Sequence, residues 1–194
     1  MNSYSYLLPQ SFDFSPAAVV LDVGCGRGRQ LAAASGTLKI GAEPDVAAAI
    51  ECRTRGFPVV RAVAEHLPFA DNSFDGIICK GVLNLTLEDQ AMREISRVLK
   101  RNGKCYLADH GSGYYLRQFL LGSWKRRLFG FRALLNTWWW IMTHRRLPGF
   151  AGDTIYQSNR RLRRNFESNG LRVASARHSS FLGLPVFIYT EVVS

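Results

Sequence analysis

The chain has 194 residues, 47% of them hydrophobic, which is enough for one domain with a substantial core over residues 1–194 and excludes general disorder. Its net charge of +10 is gathered in residues 111–164, which hold eleven Lys/Arg, one acid (Asp153) and eleven aromatic residues, and the remainder is neutral. No run nears the ~18 apolar residues of a membrane span, and the opening MNSYSYLLPQSFDFSP lacks the basic start and long apolar core of a secretory leader.

In chain order, AAVVLDV (17–23) is a short apolar, β-branched run that reads as a buried strand. After the glycines of VLDVGCGRGRQ (20–30), RQLAAAS (29–35) reads as a helix. LKIGAE (38–43) is a second strand, and DVAAAIECRTR (45–55) a helix with Asp45 at its N-cap and Gly56 past its end. PVVRAVA (58–64) and SFDGIICKGV (73–82) follow as strands. Thr86 then stands where it would cap LEDQAMREISRVLK (87–100), in which Met92, Ile95 and Leu99 recur at helical spacing. GKCYLAD (103–109) is a fifth strand. Towards the end, TIYQSNRRLRRNFESNG (154–170) reads as a helix opened by a Thr154-x-x-Gln157 capping box, with an apolar stripe of Ile155, Leu162 and Phe166. LRVASARHSS (171–180) and VFIYTEVV (186–193) have no helix between them and are expected to pair antiparallel. The alternation predicts an α/β, Rossmann-like doubly wound sheet of about seven strands, mostly parallel with an antiparallel last strand, and leaves a basic, aromatic insert after strand five.

In such a sheet, ligands bind beyond the carboxyl ends of the strands. Gly24 and Gly26 allow a tight turn and a close backbone approach to a ligand. Position 29 is Arg, so the dinucleotide fingerprint is incomplete, and no Gly-Lys-Ser/Thr follows to make a phosphate loop. Glu43, at the end of the second strand, can accept both hydroxyls of a ribose, as NAD or an adenosyl ligand would offer. The cysteines (Cys25, Cys52, Cys79, Cys105) form no Cys-x-x-Cys pair, which argues against a metal site and fits a reducing, cytoplasmic setting.

The blocks downstream distinguish these ligands. AEHLPF (64–69), SFD (73–75) and RVLK (97–100), following the glycine turn in that order, closely resemble the class I S-adenosylmethionine-dependent methyltransferases of the small-molecule branch. The resemblance covers about residues 17–109. It implies S-adenosyl-L-methionine as cofactor, with S-adenosyl-L-homocysteine as product. Asp22, Gly24 and Gly26, with Cys25 backbone, would shape the methionine end. Glu43 would hold the ribose and Pro44 would flank the adenine. Ala64 and Glu65 would line the adenine edge largely through backbone, while Cys79 and Lys80 would face the methionine moiety. The sequence departs from the family at Val63, where many relatives carry an acid, and at Lys80-Gly81.

Methyl transfer needs alignment and exclusion of water, and a base only if the acceptor must lose a proton. His110, with Asp109 before it to orient it or bind the acceptor, is the candidate base; a solvated loop histidine is the competing reading. His66, His144 and His178 look peripheral. Tyr4 and Tyr6 read either as a short lid or as a loose tail.

Residues 111–152 occupy the slot where relatives carry an acceptor-specific lid, and read as two or three helices punctuated by Gly113, Gly122, Gly130 and Pro148. Trp138, Trp139 and Trp140 cannot share one helical face, so at least one must meet something other than the core. The insert could enclose a small or lipid-like acceptor or lie on an anionic membrane surface. With Arg160, Arg161, Arg163 and Arg164 it could instead grip RNA, as in tRNA methyltransferases that resemble the same core. A non-catalytic adenosyl-binding interaction module is a further alternative.

Overall fold

The computed structural model describes residues 12–143, 145, 147, 155 and 159–194. Seven strands, β1 (Val19–Val23), β2 (Leu38–Ala42), β3 (Val59–Val60), β4 (Phe74–Lys80), β5 (Leu99–His110), β6 (Arg172–Phe181) and β7 (Leu184–Val193), form one sheet in the order β3-β2-β1-β4-β5-β7-β6. The first five pair in parallel, and β7 runs antiparallel to both β5 and β6. Between them lie α1 (Arg29–Ala33), α2 (Val46–Thr54), α3 (Glu88–Val98), α4 (Ser112–Leu121), α5 (Trp124–Thr143) and α6 (Asn159–Ser168). This is the expected doubly wound architecture, with helices α4 and α5 in the slot of the insert.

Most elements keep the bounds that the sequence pattern suggests. Asp45 caps α2, its side chain accepting from Ala48 N at 2.8 Å. The third strand is shorter than expected, because it pairs only at the sheet edge and the chain then turns away to bury Ala64 and Leu67. Thr86 does not cap α3: the N-cap position is Leu87, and the Thr86 hydroxyl donates instead to Leu83 O. The main-chain N–H of Leu87 donates to the Glu65 carboxylate at 2.8 Å. Of the insert glycines, only Gly122 interrupts a helix. Gly130 lies inside α5, where a Cβ would collide with Tyr115 O and sit 2.8 Å from Phe119 N, so it lets α5 pack closely on α4. The Thr154/Gln157 box, Pro148, His144, Tyr4 and Tyr6 lie outside the described residues.

Strand alternation sorts the core into two layers. Leu21, Val23, Ile77, Cys79, Cys105 and Leu107 pack against Met92 and Ile95 of α3 and Leu162 and Phe166 of α6. Val20, Ile78, Tyr106 and Ala108 face the opposite layer, with Phe12, Phe14 and Tyr189.

The α6 stripe is fixed by a buried polar clasp as well as by apolar contact. Arg161 Nη2 lies 2.7 Å from Glu88 Oε2, Asn165 Nδ2 donates to Glu88 Oε1, and the Arg161 guanidinium stacks 4.8 Å from the Trp140 ring. Removing one partner would leave the other charged group buried. Glu88→Ala is expected to cost about 3–5 kcal/mol by urea denaturation, against no more than ~0.5 kcal/mol for the exposed Arg160→Ala. An equal loss for both would show that the clasp does not hold α6.

Candidate functional site

The glycine turn joins β1 to α1 at the carboxyl edge of the sheet. Gly24 and Gly26 adopt φ of +69° and +51°, where a Cβ is strained. A Cβ on Gly24 would also collide with Val82, whereas nothing lies within 4 Å of one on Gly26, so bare backbone there faces open space. Glu43 holds this turn against the end of β2. Its carboxylate accepts from Gly26 N at 2.8 Å and from Asp45 N at 3.0 Å and is 8% exposed. The Cys25 thiol is buried beneath the turn, 3.9 Å from Cys52 Sγ, and burial pushes it up, which leaves only its main chain for a ligand.

Asp22 carries the least satisfied group of the site. It is 1% exposed, and neither carboxylate oxygen has a hydrogen-bond partner. Burial raises its pKa well above the ordinary carboxylate range; the Lys80 ammonium opposes this shift, and Glu43 adds to it. Lys80, half-buried, is lowered by burial and drawn back up by Asp22. The register Asp22↔Ile78 and Lys80↔Ala108 places Asp22, Lys80 and His110 on one sheet face at the ends of three adjacent strands.

His110 ends β5 and does not stand in a solvated loop. Its ring lies 4.1 Å from that of Tyr114 and 6.4 Å from that of Tyr115. Burial, and then the nearby Lys80 charge, lower its pKa to about 4. Asp109 points to the other face and is 3% exposed. Its Oδ1 accepts from His110 N at 3.1 Å. With the Asn84 amide nitrogen turned towards Asp109 Oδ1 (2.8 Å) and Gly81 O (3.1 Å), the Asn84 oxygen accepts from Tyr115 OH at 3.1 Å. Burial raises Asp109 to about 7 despite the opposing main-chain N–H groups of His110, Asn84 and Leu83. Asp109 therefore anchors the main chain at His110 and does not touch its imidazole in this way.

The structure separates some of the remaining residues. The Cys79 thiol is buried in the core on the face opposite Lys80, so its side chain does not join Lys80 in facing a methionine moiety as expected, and strand alternation leaves only its main chain at this edge of the sheet. Pro44 lines an open groove of about 480 Å³ together with Arg61, Ala62, Val63, His66 and Pro68. Ala64 turns into the core and Glu65 towards Leu87, which leaves main chain at this edge. Asn84, Tyr114 and Tyr115 were not singled out from sequence. Asn84 in VLNLT, a lone amide in an apolar run, was the available signal. Among the described residues, no three His, Cys, Asp or Glu gather where a metal ion could sit.

The family described as "Methyltransferase domain" matches residues 21–107, from the first strand of this site to the fifth. Residues 21–107 therefore carry a methyltransferase domain, and the fold around it is that of solved S-adenosylmethionine-dependent methyltransferases. Among relatives of these methyltransferases, Methyltransferase GfsG of Streptomyces halstedii is 36% identical over 53% of this chain and 41% of its own. Probable tRNA methyltransferase 9B of Mus musculus is 30% identical over 72% of this chain and 34% of its own. The solved SAM-dependent methyltransferase of Thermotoga maritima aligns with a TM-score of 0.63 and 21% identity, covering 97% of this chain and 84% of that one. The chain spans 34–41% of the length of the first curated relatives that it matches.

The residues present fit the cofactor of this family. An orphaned buried carboxylate at Asp22 suits a cationic amino group, Lys80 beside it suits a carboxylate, and the Gly26 backbone leaves room for close approach.

Proposed function

We propose that this chain transfers a methyl group from S-adenosylmethionine to a small or amphipathic acceptor, with His110 as general base. The observation that carries this reading is the row Asp22–Lys80–His110 on one face at the strand ends, with the Tyr114 ring against His110. S-adenosylmethionine supplies a methyl group already activated on a sulfonium. Asp22 and Lys80 would bind the two charged ends of its amino-acid moiety, and Glu43 would take the ribose hydroxyls. Asp109 and Asn84 fix the backbone from which His110 projects, and Tyr114 and Tyr115 shield the imidazole from water. A neutral imidazole can then accept the acceptor's proton as the carbon–sulfur bond breaks.

A second reading, an RNA acceptor, is favoured by the similarity to a probable tRNA methyltransferase and by exposed Arg160, Arg163 and Arg164 on α6. Arg161 is excluded from that surface by its clasp with Glu88.

Calorimetric titration with S-adenosylmethionine tests the proposal at its base. Wild type should bind saturably, and Glu43→Gln should bind about tenfold more weakly, having lost a charge-assisted acceptor. Absence of binding by wild type would leave a non-catalytic module as the better account. Screening of amphipathic acceptors against tRNA then separates the two acceptor classes.

A further inference from the structure

Helix α5 buries one side and leaves the other uncovered. Gly130, Ala133, Asn136 and Thr137 face the protein. Trp124, Leu128, Phe131, Leu135, Trp138 and Met142 are all exposed, Trp124 at 71% and Trp138 at 57%. Their spacing alternates four and three residues, and at about 100° per residue it confines them to one stripe opposite the buried side. A stripe of this kind normally faces a core. Here it runs for 20 residues, about 30 Å, along the surface. Lys125, Arg126 and Arg127 lie exposed at its start, and Arg132 is half-buried midway along it. The Lys125 ammonium sits 5.6 Å from the Trp124 ring. No acid occurs anywhere in residues 111–152.

We propose that the outer face of α5 docks in the plane of an anionic lipid bilayer, with its apolar stripe in the headgroup–acyl boundary and its basic residues on the phosphates. Two observations select this occupant. Tryptophans towards both ends of an exposed apolar stripe match the interfacial preference of the indole ring. The all-basic flank is complementary to an anionic surface and repels a second copy of the same helix. An RNA partner would use the cations but would leave the aliphatic stripe in water. No helix among the described residues is long and apolar enough to cross a membrane, so the contact is peripheral. The assignment does not depend on which acceptor is methylated.

Flotation of the full chain with vesicles tests this. The protein should float with phosphatidylcholine–phosphatidylglycerol vesicles, stay behind with pure phosphatidylcholine, and detach as salt is raised. Trp124→Ser/Trp138→Ser and Lys125→Gln/Arg127→Gln should each weaken flotation on the order of tenfold, with S-adenosylmethionine binding unchanged. The substituted positions are exposed and outside the core, and the calorimetric titration checks directly that each variant is folded. Failure of wild type to float with anionic vesicles overturns the proposal, as does undiminished flotation of the tryptophan variant. A dimer that dissociates in the tryptophan variant, or tRNA binding without flotation, would assign the face to a second copy or to RNA and likewise overturn it.

Discussion

Asp22→Asn is expected to raise the melting temperature of the cofactor-free protein at neutral pH while weakening S-adenosylmethionine binding by on the order of a hundredfold. The two effects share one cause. The Asp22 carboxylate is fully buried without a hydrogen-bond partner, so its ionised form is costly until a ligand supplies a donor. Lys80 offsets part of this cost and Glu43 adds to it. A folded-state pKa raised above the unfolded value gives stability at low pH that is lost as pH rises through the folded value. The cofactor-free wild type should therefore lose stability above the ordinary carboxylate range, and the variant should lack that loss. Relief of ~1 kcal/mol corresponds to about 2–4 °C for a chain of this size. Thermal melts at several pH values, with and without S-adenosylhomocysteine, give both readouts. A variant that melts lower than wild type yet binds normally would remove Asp22 from the site and make it a structural residue.

The sequence made the parallel part of the sheet legible because its signals are local: β-branched runs, the Asp45 cap and the helical spacing of Met92 and Ile95. Leu99, which continues that spacing, instead opens β5, so this strand starts before the expected 103–109. The candidate site was legible as one edge of the sheet because the family motifs sit at strand ends, where topology gathers them. Alternation within strands then divides neighbours that a motif treats as one: Cys79 from Lys80, and Asp109 from His110. That division follows from period two once each strand's inner face is known. Contacts made across long separations were not legible. Glu88 and Arg161, or Asn84 and Tyr115, meet only because α6 and α4 pack where they do. The triplet Trp138-Trp139-Trp140 shows both sides of this. Its members were bound to diverge around a helix; that Trp140 stacks on Arg161 while Trp138 faces outward depends on which side of α5 Gly130 lets approach α4.

His110→Ala should lower kcat by about 10²–10⁴-fold if the acceptor gives up its proton as the methyl group arrives. Burial and the Lys80 charge hold the imidazole at about 4, so it is neutral, and able to act as a base, across the physiological range. On this group alone, the wild-type rate should stay flat from pH 8 to well below the ordinary histidine range and fall only as pH nears about 4. Stability follows with a definite sign. The unfolded chain takes up this proton first as pH drops, so stability present above the ordinary histidine range is lost as pH falls towards about 4. Asp109, raised to about 7, works in the opposite direction, favouring the fold at low pH and losing that contribution as pH rises through 7. The two slopes oppose each other in wild type, and His110→Ala should expose the downward Asp109 slope with rising pH. Single-turnover rates against pH, together with urea midpoints at matched pH, separate chemistry from stability. Cofactor affinity should be unchanged in this variant. An unaltered rate would mean that the acceptor arrives without a proton to lose, and His110 would then shape the acceptor slot against Tyr114 without serving as a base.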